Sequence, residues 1–229
     1  MKKRVLITGH SGGLGQSLIN TFKLNNYYVI GIDIKKSKIK VDKEYIIDIN
    51  TLEIPPINNI DIIINNAAIQ IKKDFGKFNI DDWKQTMNVN VIYPSLLVQH
   101  FKESLIKNNG HVINIGSIHS EQTKSGFHLY STSKGALKTL TKSLSLELSP
   151  YVKVNMISPA AIDTNMLKSG LSKESYNKLK NYHPSKSIGQ PDKISQFILN
   201  IIQHNDIFLS GSIITYDGSI SNLLNDPEN

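Results

Sequence analysis

Short unbroken apolar runs alternate along the chain with longer stretches in which apolar residues recur every three or four positions. The runs at 4–8, 27–33, 44–48, 60–65, 111–116, 151–157 and 212–217 are rich in Val, Ile and Tyr. Continuous apolar character, rather than strict alternation, is what a strand buried on both faces of a parallel sheet requires. Between the runs, Leu18, Ile19 and Phe22 keep the spacing of one helix face, as do Trp83, Met87, Asn90, Pro94, Leu97, Phe101 and Leu105, and then Lys134, Leu137, Thr141, Leu144 and Leu148. Pro191 opens a further helix through Ile198 and Ile202. This alternation predicts an α/β fold, a Rossmann-type doubly wound parallel sheet of about seven strands with helices on both faces.

Irregularities in the pattern sharpen that expectation. The link from the third run to the fourth contains Pro55-Pro56. With strand order 3-2-1-4 it crosses three spacings of about 4.8 Å and returns along the sheet, a diagonal of roughly 20 Å. A dozen extended residues reach about 36 Å, whereas a helix rising about 1.5 Å per residue falls short, so no long helix is expected there. Residues 80–107 predict one long helix in which Pro94 offers no N–H to the carbonyl of Asn90, leaving that carbonyl free. The polar segment from Met166 to Ser187, with Gly170, predicts a mobile substrate lid over about 164–188, and 226–229 a frayed tail.

Composition narrows the classes. With 229 residues, 39% of them hydrophobic, the chain can bury a sizeable core and is expected to form one domain. It has no cysteine, which excludes disulfides, thiol catalysis and cysteine-ligated zinc and fits a reducing cytoplasm. The formal charge of +7 comes from scattered lysines without an interleaved aromatic stripe, so a solvated surface rather than a nucleic-acid site is expected. No apolar run is long enough to span a membrane, and the histidines lack metal-ligand spacing, so neither a membrane partner nor a catalytic metal is expected.

Two stretches carry candidate chemistry. After the first run comes Gly9-His10-Ser11-Gly12-Gly13-Leu14-Gly15, a glycine-rich turn entering a helix. Such a turn lets backbone N–H groups approach a pyrophosphate at the positive end of the helix dipole. Asp33, at the end of the second run, is placed to accept from ribose hydroxyls and to repel a 2′-phosphate, favouring NAD(H), while Lys35 and Lys36 leave NADP(H) possible. The second stretch is Tyr130-Ser131-Thr132-Ser133-Lys134, which stacks a phenol and an ammonium one helical turn apart. An adjacent ammonium favours the phenolate, so the pair is a candidate acid/base. Ser117 ends the fifth run and meets Tyr130 if the intervening loop returns to the crevice. His119, Glu121, His128 and Gln70 flank this pocket and suit a polar, sugar-like or hydroxy-acid substrate.

Together these residues resemble the short-chain dehydrogenase/reductase family over nearly the whole chain. Its Thr-Gly-x-x-x-Gly-x-Gly turn is matched by Thr8, Gly9, Gly13 and Gly15, its acidic residue by Asp33, and its adenine-contacting pair by Asp48 and Ile49. Its Asn-Asn-Ala-Gly stands here as Asn65-Asn66-Ala67-Ala68. The resemblance assigns catalysis to Asn90, Ser117, Tyr130 and Lys134, and nicotinamide contacts to Pro159, Ile162 and Thr164. It implies hydride transfer between NAD(P)(H) and a carbonyl or secondary alcohol of a small molecule, in a cytoplasmic homodimer or homotetramer. A reductase of C=N or C=C bonds and a silent nucleotide-sensing scaffold are the alternatives on the same fold. Three family glycines are replaced, by Ala68, Ala160 and Ser219, which implies a disturbed turn or a displaced cofactor.

Overall fold

A computed structural model describes residues 2–169 and 171–224. Seven parallel strands form one sheet in the order β3-β2-β1-β4-β5-β6-β7. They are β1 (Arg4–Thr8), β2 (Tyr28–Asp33), β3 (Lys43–Ile46), β4 (Ile62–Asn65), β5 (His111–Ile115), β6 (Lys153–Pro159) and β7 (Ile213–Tyr216). Side chains alternate along each strand between two cores. Val5 and Ile7 point into the one covered by α1 (Gly13–Leu24) and α8 (Pro191–His204), with Leu18, Ile19, Phe22, Ile198 and Ile202. Leu6 points into the other, where α3 (Tyr93–His100) and α4 (Lys102–Lys107) supply Tyr93, Leu97 and Leu105. Each buried isoleucine or leucine contributes roughly 2 kcal/mol from water exclusion, so covering both faces is what stabilises an all-parallel sheet.

The β3 to β4 crossover contains only a single 3₁₀ turn, Ile49–Thr51, as its geometry requires. The long helix is less regular than its apolar spacing predicts. The α2 helix (Ile80–Met87) passes through a π-helical turn, Asn88–Ile92, into α3, and Phe101 then breaks the run before α4. The wider turn lies just before Pro94, whose ring cannot be accommodated by a regular helical ladder. It also shifts the buried stripe: Trp83 and Met87 are half-buried, while Thr86, Val89 and Tyr93 are buried. The Tyr93 hydroxyl, at the core, donates to the Glu53 carbonyl at 3.1 Å, fastening the helix to the crossover.

The polar segment after β6 is not a structureless loop. It forms α6 (Asn165–Lys168) and α7 (Lys173–Tyr182), with a Ser172 N-cap on α7 and an i,i+4 pair between Glu174 and Lys178. An apolar-period search misses α7 because none of its residues is buried. Gly170 and residues 226–229, read from the sequence as part of a lid and as a tail, lie outside the described residues. Among the described residues no helix is long and apolar enough to cross a membrane.

Candidate active site

Strand β1 lies between β2 and β4, so chain direction away from it reverses there and a crevice opens beyond the carboxyl ends of β1 and β4. Thr8 ends β1 and is buried; its Oγ1 accepts from the backbone N–H groups of Asn66 and Ala67, both at 3.1 Å. The Asn66 amide donates in return to the carbonyls of Thr8 and Gly9 at 3.0 and 2.9 Å. This clamp fixes the floor of the crevice. Gly9 has φ +65°, and a Cβ there would stand 2.7 Å from the Ala67 Cα, so glycine is required twice over. A Cβ on Gly15 would stand 2.2 Å from the Gly9 carbonyl oxygen, so helix α1 can approach β1 only without one.

The loop fits a dinucleotide phosphate. Helix α1 has no capping side chain and no acid in its first turn, so its leading N–H groups are left to an anion. Leu14 packs into the core. The Asp33 carboxylate stands at the loop's edge, where Oδ2 accepts from the Ser11 N–H at 2.9 Å and Oδ1 from the Lys35 N–H at 3.2 Å. Thr164 lies against the loop, since a Cβ on Gly13 would meet its Cγ2 at 2.8 Å. Asp48 is exposed and caps the 3₁₀ turn through the Asn50 N–H, whereas Ile49 is buried in the core. Pro159 is buried at the end of β6, and Ile162 forms a bridge with Gly189. Neither Ala68 nor Ala160 has a positive φ, so alanine imposes no backbone strain at either. Ser219 does adopt φ +68°, a conformation that glycine fits with less strain.

Helix α5 (His128–Glu147) brings the proton-transfer candidates to the other wall. Tyr130 is half-buried, and Ser117 lies near enough to its phenol to act on its pKa, so the loop from β5 does return to the crevice. Burial pushes the Tyr130 pKa up and the neighbouring Ser117 hydroxyl pulls it back down, with burial winning. The Lys134 ammonium is buried, donates to the Ile115 carbonyl at 2.8 Å and stands 5.6 Å from the Tyr130 ring centroid. Desolvation lowers its pKa to about 8. Burial thus sets the direction of the shift, and Tyr130 stands as a neutral acid.

Asn90 is buried in the π-helical turn and faces α5. Its Oδ1 accepts from the Ile69 N–H at 2.9 Å, while Nδ2 donates to the Ile69 carbonyl at 3.0 Å and to Ser133 Oγ at 2.9 Å. Ser133 in turn donates to the Tyr130 carbonyl at 2.7 Å. Ser133 was not singled out by sequence, although its place inside the Tyr-x-x-x-Lys stretch was a usable signal. His10 was also missed: buried beneath Gly31, its Nε2 bonds Glu44 at 2.8 Å, and Glu44 accepts from the Ser37 N–H at 2.9 Å beside Asp33. Of the pocket-flanking candidates, Glu121 is paired with Lys138, and His128 packs against Phe75, Phe78 and Trp83. The His119 ring meets the tyrosine edge-on, at 5.7 Å between centroids.

Residues 55–221 match the family described as enoyl-(acyl carrier protein) reductase. The chain is 31% identical over 239 aligned positions to the 3-oxoacyl-(acyl-carrier-protein) reductase FabG of Buchnera aphidicola, covering 96% of this chain and 97% of that one. It is 27% identical to a 5-keto-D-gluconate 5-reductase of Escherichia coli, covering 95% of each. The ligand-free aldohexose dehydrogenase of Thermoplasma acidophilum superposes with a TM-score of 0.88 at 22% identity, covering 99% of this chain and 97% of that one.

Proposed function

The chain belongs to the short-chain dehydrogenase/reductase family, and we propose that Tyr130 is its catalytic acid/base, acting on the carbonyl or alcohol of a small polar molecule. As a member of that family it is an NAD(P)-dependent oxidoreductase of carbonyl and alcohol groups. The observation that carries the assignment is the position of the Tyr130 phenol, near enough to Ser117 for that hydroxyl to lower its pKa and with the buried Lys134 ammonium 5.6 Å from its ring centroid.

A nicotinamide held in this crevice would supply or accept the hydride. In reduction, Tyr130 gives its proton to the substrate oxygen as negative charge develops there, and in oxidation it takes that proton back. Its raised pKa keeps the proton on the phenol in the resting state, ready for reduction. Ser117 donates a second hydrogen bond to the same oxygen. Lys134 lends positive charge to the phenolate that forms, and its pKa near 8 keeps it protonated at neutral pH. The Asn90 side chain holds the Ile69 backbone against α5, and its main-chain carbonyl is the candidate holder of a relay water, because Pro94 offers it no N–H.

The phosphate groups fall to Gly9, Ser11, Gly13, Leu14 and Gly15, the adenosine to Asp33, Asp48 and Ile49, and the nicotinamide side to Thr8, Asn66, Ala67, Ala68, Pro159, Ile162 and Thr164. A carboxylate at Asp33 favours NAD(H) over NADP(H). The kinship with a keto-gluconate reductase supports a sugar-like or hydroxy-acid substrate. Residues 1–229 act as one domain, with 164–188 covering the substrate, in a cytoplasmic homodimer or homotetramer. The test is consumption of NADH and NADPH with a panel of keto sugars, oxo acids and simple ketones. Turnover of a member of the panel that is faster with NADH supports the reading; turnover of C=N or C=C substrates alone, or none, contradicts it.

A further inference from the structure

Two loops leave the carboxyl edge of the sheet and run past the Tyr130 end of α5, residues 66–79 after β4 and 116–127 after β5. They meet on the Phe127 ring, which is itself buried. Lys72 Nζ stands 4.8 Å from the ring centroid and Lys124 Nζ 4.9 Å. His119 stacks on the same ring at 4.8 Å, with the planes 3° apart, and then meets Tyr130 edge-on. Two ammonium groups, a phenyl ring, an imidazole and the acid/base phenol thus follow one another without a gap.

The neighbouring lysines on these surfaces are neutralised: Lys73 pairs with Asp82, Lys77 with Asp74 and Lys138 with Glu121. Among the described residues Lys72 and Lys124 have no such carboxylate. Two like charges gathered on one ring repel each other, and a shared anion relieves that repulsion. Their field reaches the imidazole: burial first, then Lys124 and Lys72, depress the His119 pKa and hold the ring neutral. His119 Nδ1 bonds Thr123 Oγ1 at 3.0 Å, so Thr123 anchors the imidazole. An open cleft of about 530 Å³, lined by Lys72, Lys73, Asp74, Lys77 and Gly126, adjoins the cluster.

We propose that Lys72 and Lys124 form an anion subsite of the substrate pocket, so that the preferred substrate carries a carboxylate or phosphate in addition to the carbonyl reduced at Tyr130. The inference rests on the oxidoreductase reading and names the charge of its substrate. It is tested with matched pairs, acetoacetate against its ethyl ester and dihydroxyacetone phosphate against dihydroxyacetone, using the wild type and Lys72→Ala/Lys124→Ala. The expected result is a charged member favoured through KM, with the charged-to-neutral ratio of kcat/KM falling about tenfold in the double variant. Which pair shows the preference identifies the anion. Lys84→Ala, which removes a charge from the exposed face of α2, should keep the ratio. Equal turnover of both members in the wild type, or a ratio unmoved in the double variant, overturns the subsite and leaves the oxidoreductase reading intact. Binding is read separately from turnover by the His119 ring resonances during titration with succinate and with inorganic phosphate. Shifts in the wild type that vanish in the double variant support the subsite; no shift with either anion overturns it even where no pair is turned over.

Discussion

The Lys134 ammonium donates to the Ile115 carbonyl at 2.8 Å inside the protein, one helical turn from Tyr130. Burying that charge lowers its pKa to about 8, against 10.5 for an ordinary lysine. The folded chain therefore holds this proton less tightly than the unfolded chain, and stability rises with pH between about 8 and 10.5 as the buried charge is discharged. The gain expected is on the order of 2 kcal/mol. Urea unfolding at pH 7.5 and pH 10 should show this rise in the wild type and not in Lys134→Met. An identical rise in both proteins would place its origin elsewhere.

His111 works in the opposite pH range. It is buried in β5, its Nε2 donates to Asn205 Oδ1 at 2.9 Å, and burial lowers its pKa to about 4. The fold needs it neutral, so its contribution is complete above the ordinary histidine range near 6.5 and is lost as pH falls toward 4, on the order of 2–3 kcal/mol. His111→Gln, which keeps a donor for Asn205, should flatten the stability curve between pH 6.5 and 4. A variant whose stability falls as steeply as that of the wild type would contradict this.

Asp33 ties the glycine loop to the end of β2 through the Ser11 N–H. A 2′-phosphate in the same place meets a carboxylate already committed to backbone donors, with Lys35 and Lys36 exposed beside it. Calorimetric titration should show NADH binding more tightly than NADPH, with the preference levelled or reversed in Asp33→Ala by about tenfold or more. Equal affinities in the wild type, or a preference untouched by the substitution, would remove Asp33 from that role.

The sheet was legible because both of its faces are covered, which leaves every residue of β4 and β5 buried and most of them apolar. The crossover after β3 was legible because chain length and strand spacing leave little choice. Local irregularity was not: Pro94 announces a disturbed helix, but whether it bends, breaks or widens into a π turn depends on what Asn90 bonds across the gap. The replaced glycines show the same limit. At Ala68 and Ala160 the φ is negative and a methyl costs nothing in the backbone, whereas at Ser219 the left-handed conformation persists without glycine. Residue identity says where glycine was dispensable only once φ is known. For the site, Ser117 comes near Tyr130, and Thr8 bonds Asn66 across β1 and β4. The partners of Ser133 and His10 lie 43 and 34 residues away, so spacing does not reveal them, and only the place of Ser133 between Tyr130 and Lys134 points to it.

Tyr130 is the proposed carrier of the proton, with the rest of the crevice proposed to bind the dinucleotide. The most direct measurement pairs steady-state turnover with calorimetric binding of NADH or NADPH in the wild type and in Tyr130→Phe. A ring without the hydroxyl should lower kcat by about a thousandfold or more, with cofactor affinity within about threefold of the wild type. A phenylalanine variant that still turns over substrate at a substantial fraction of the wild-type rate would contradict the account.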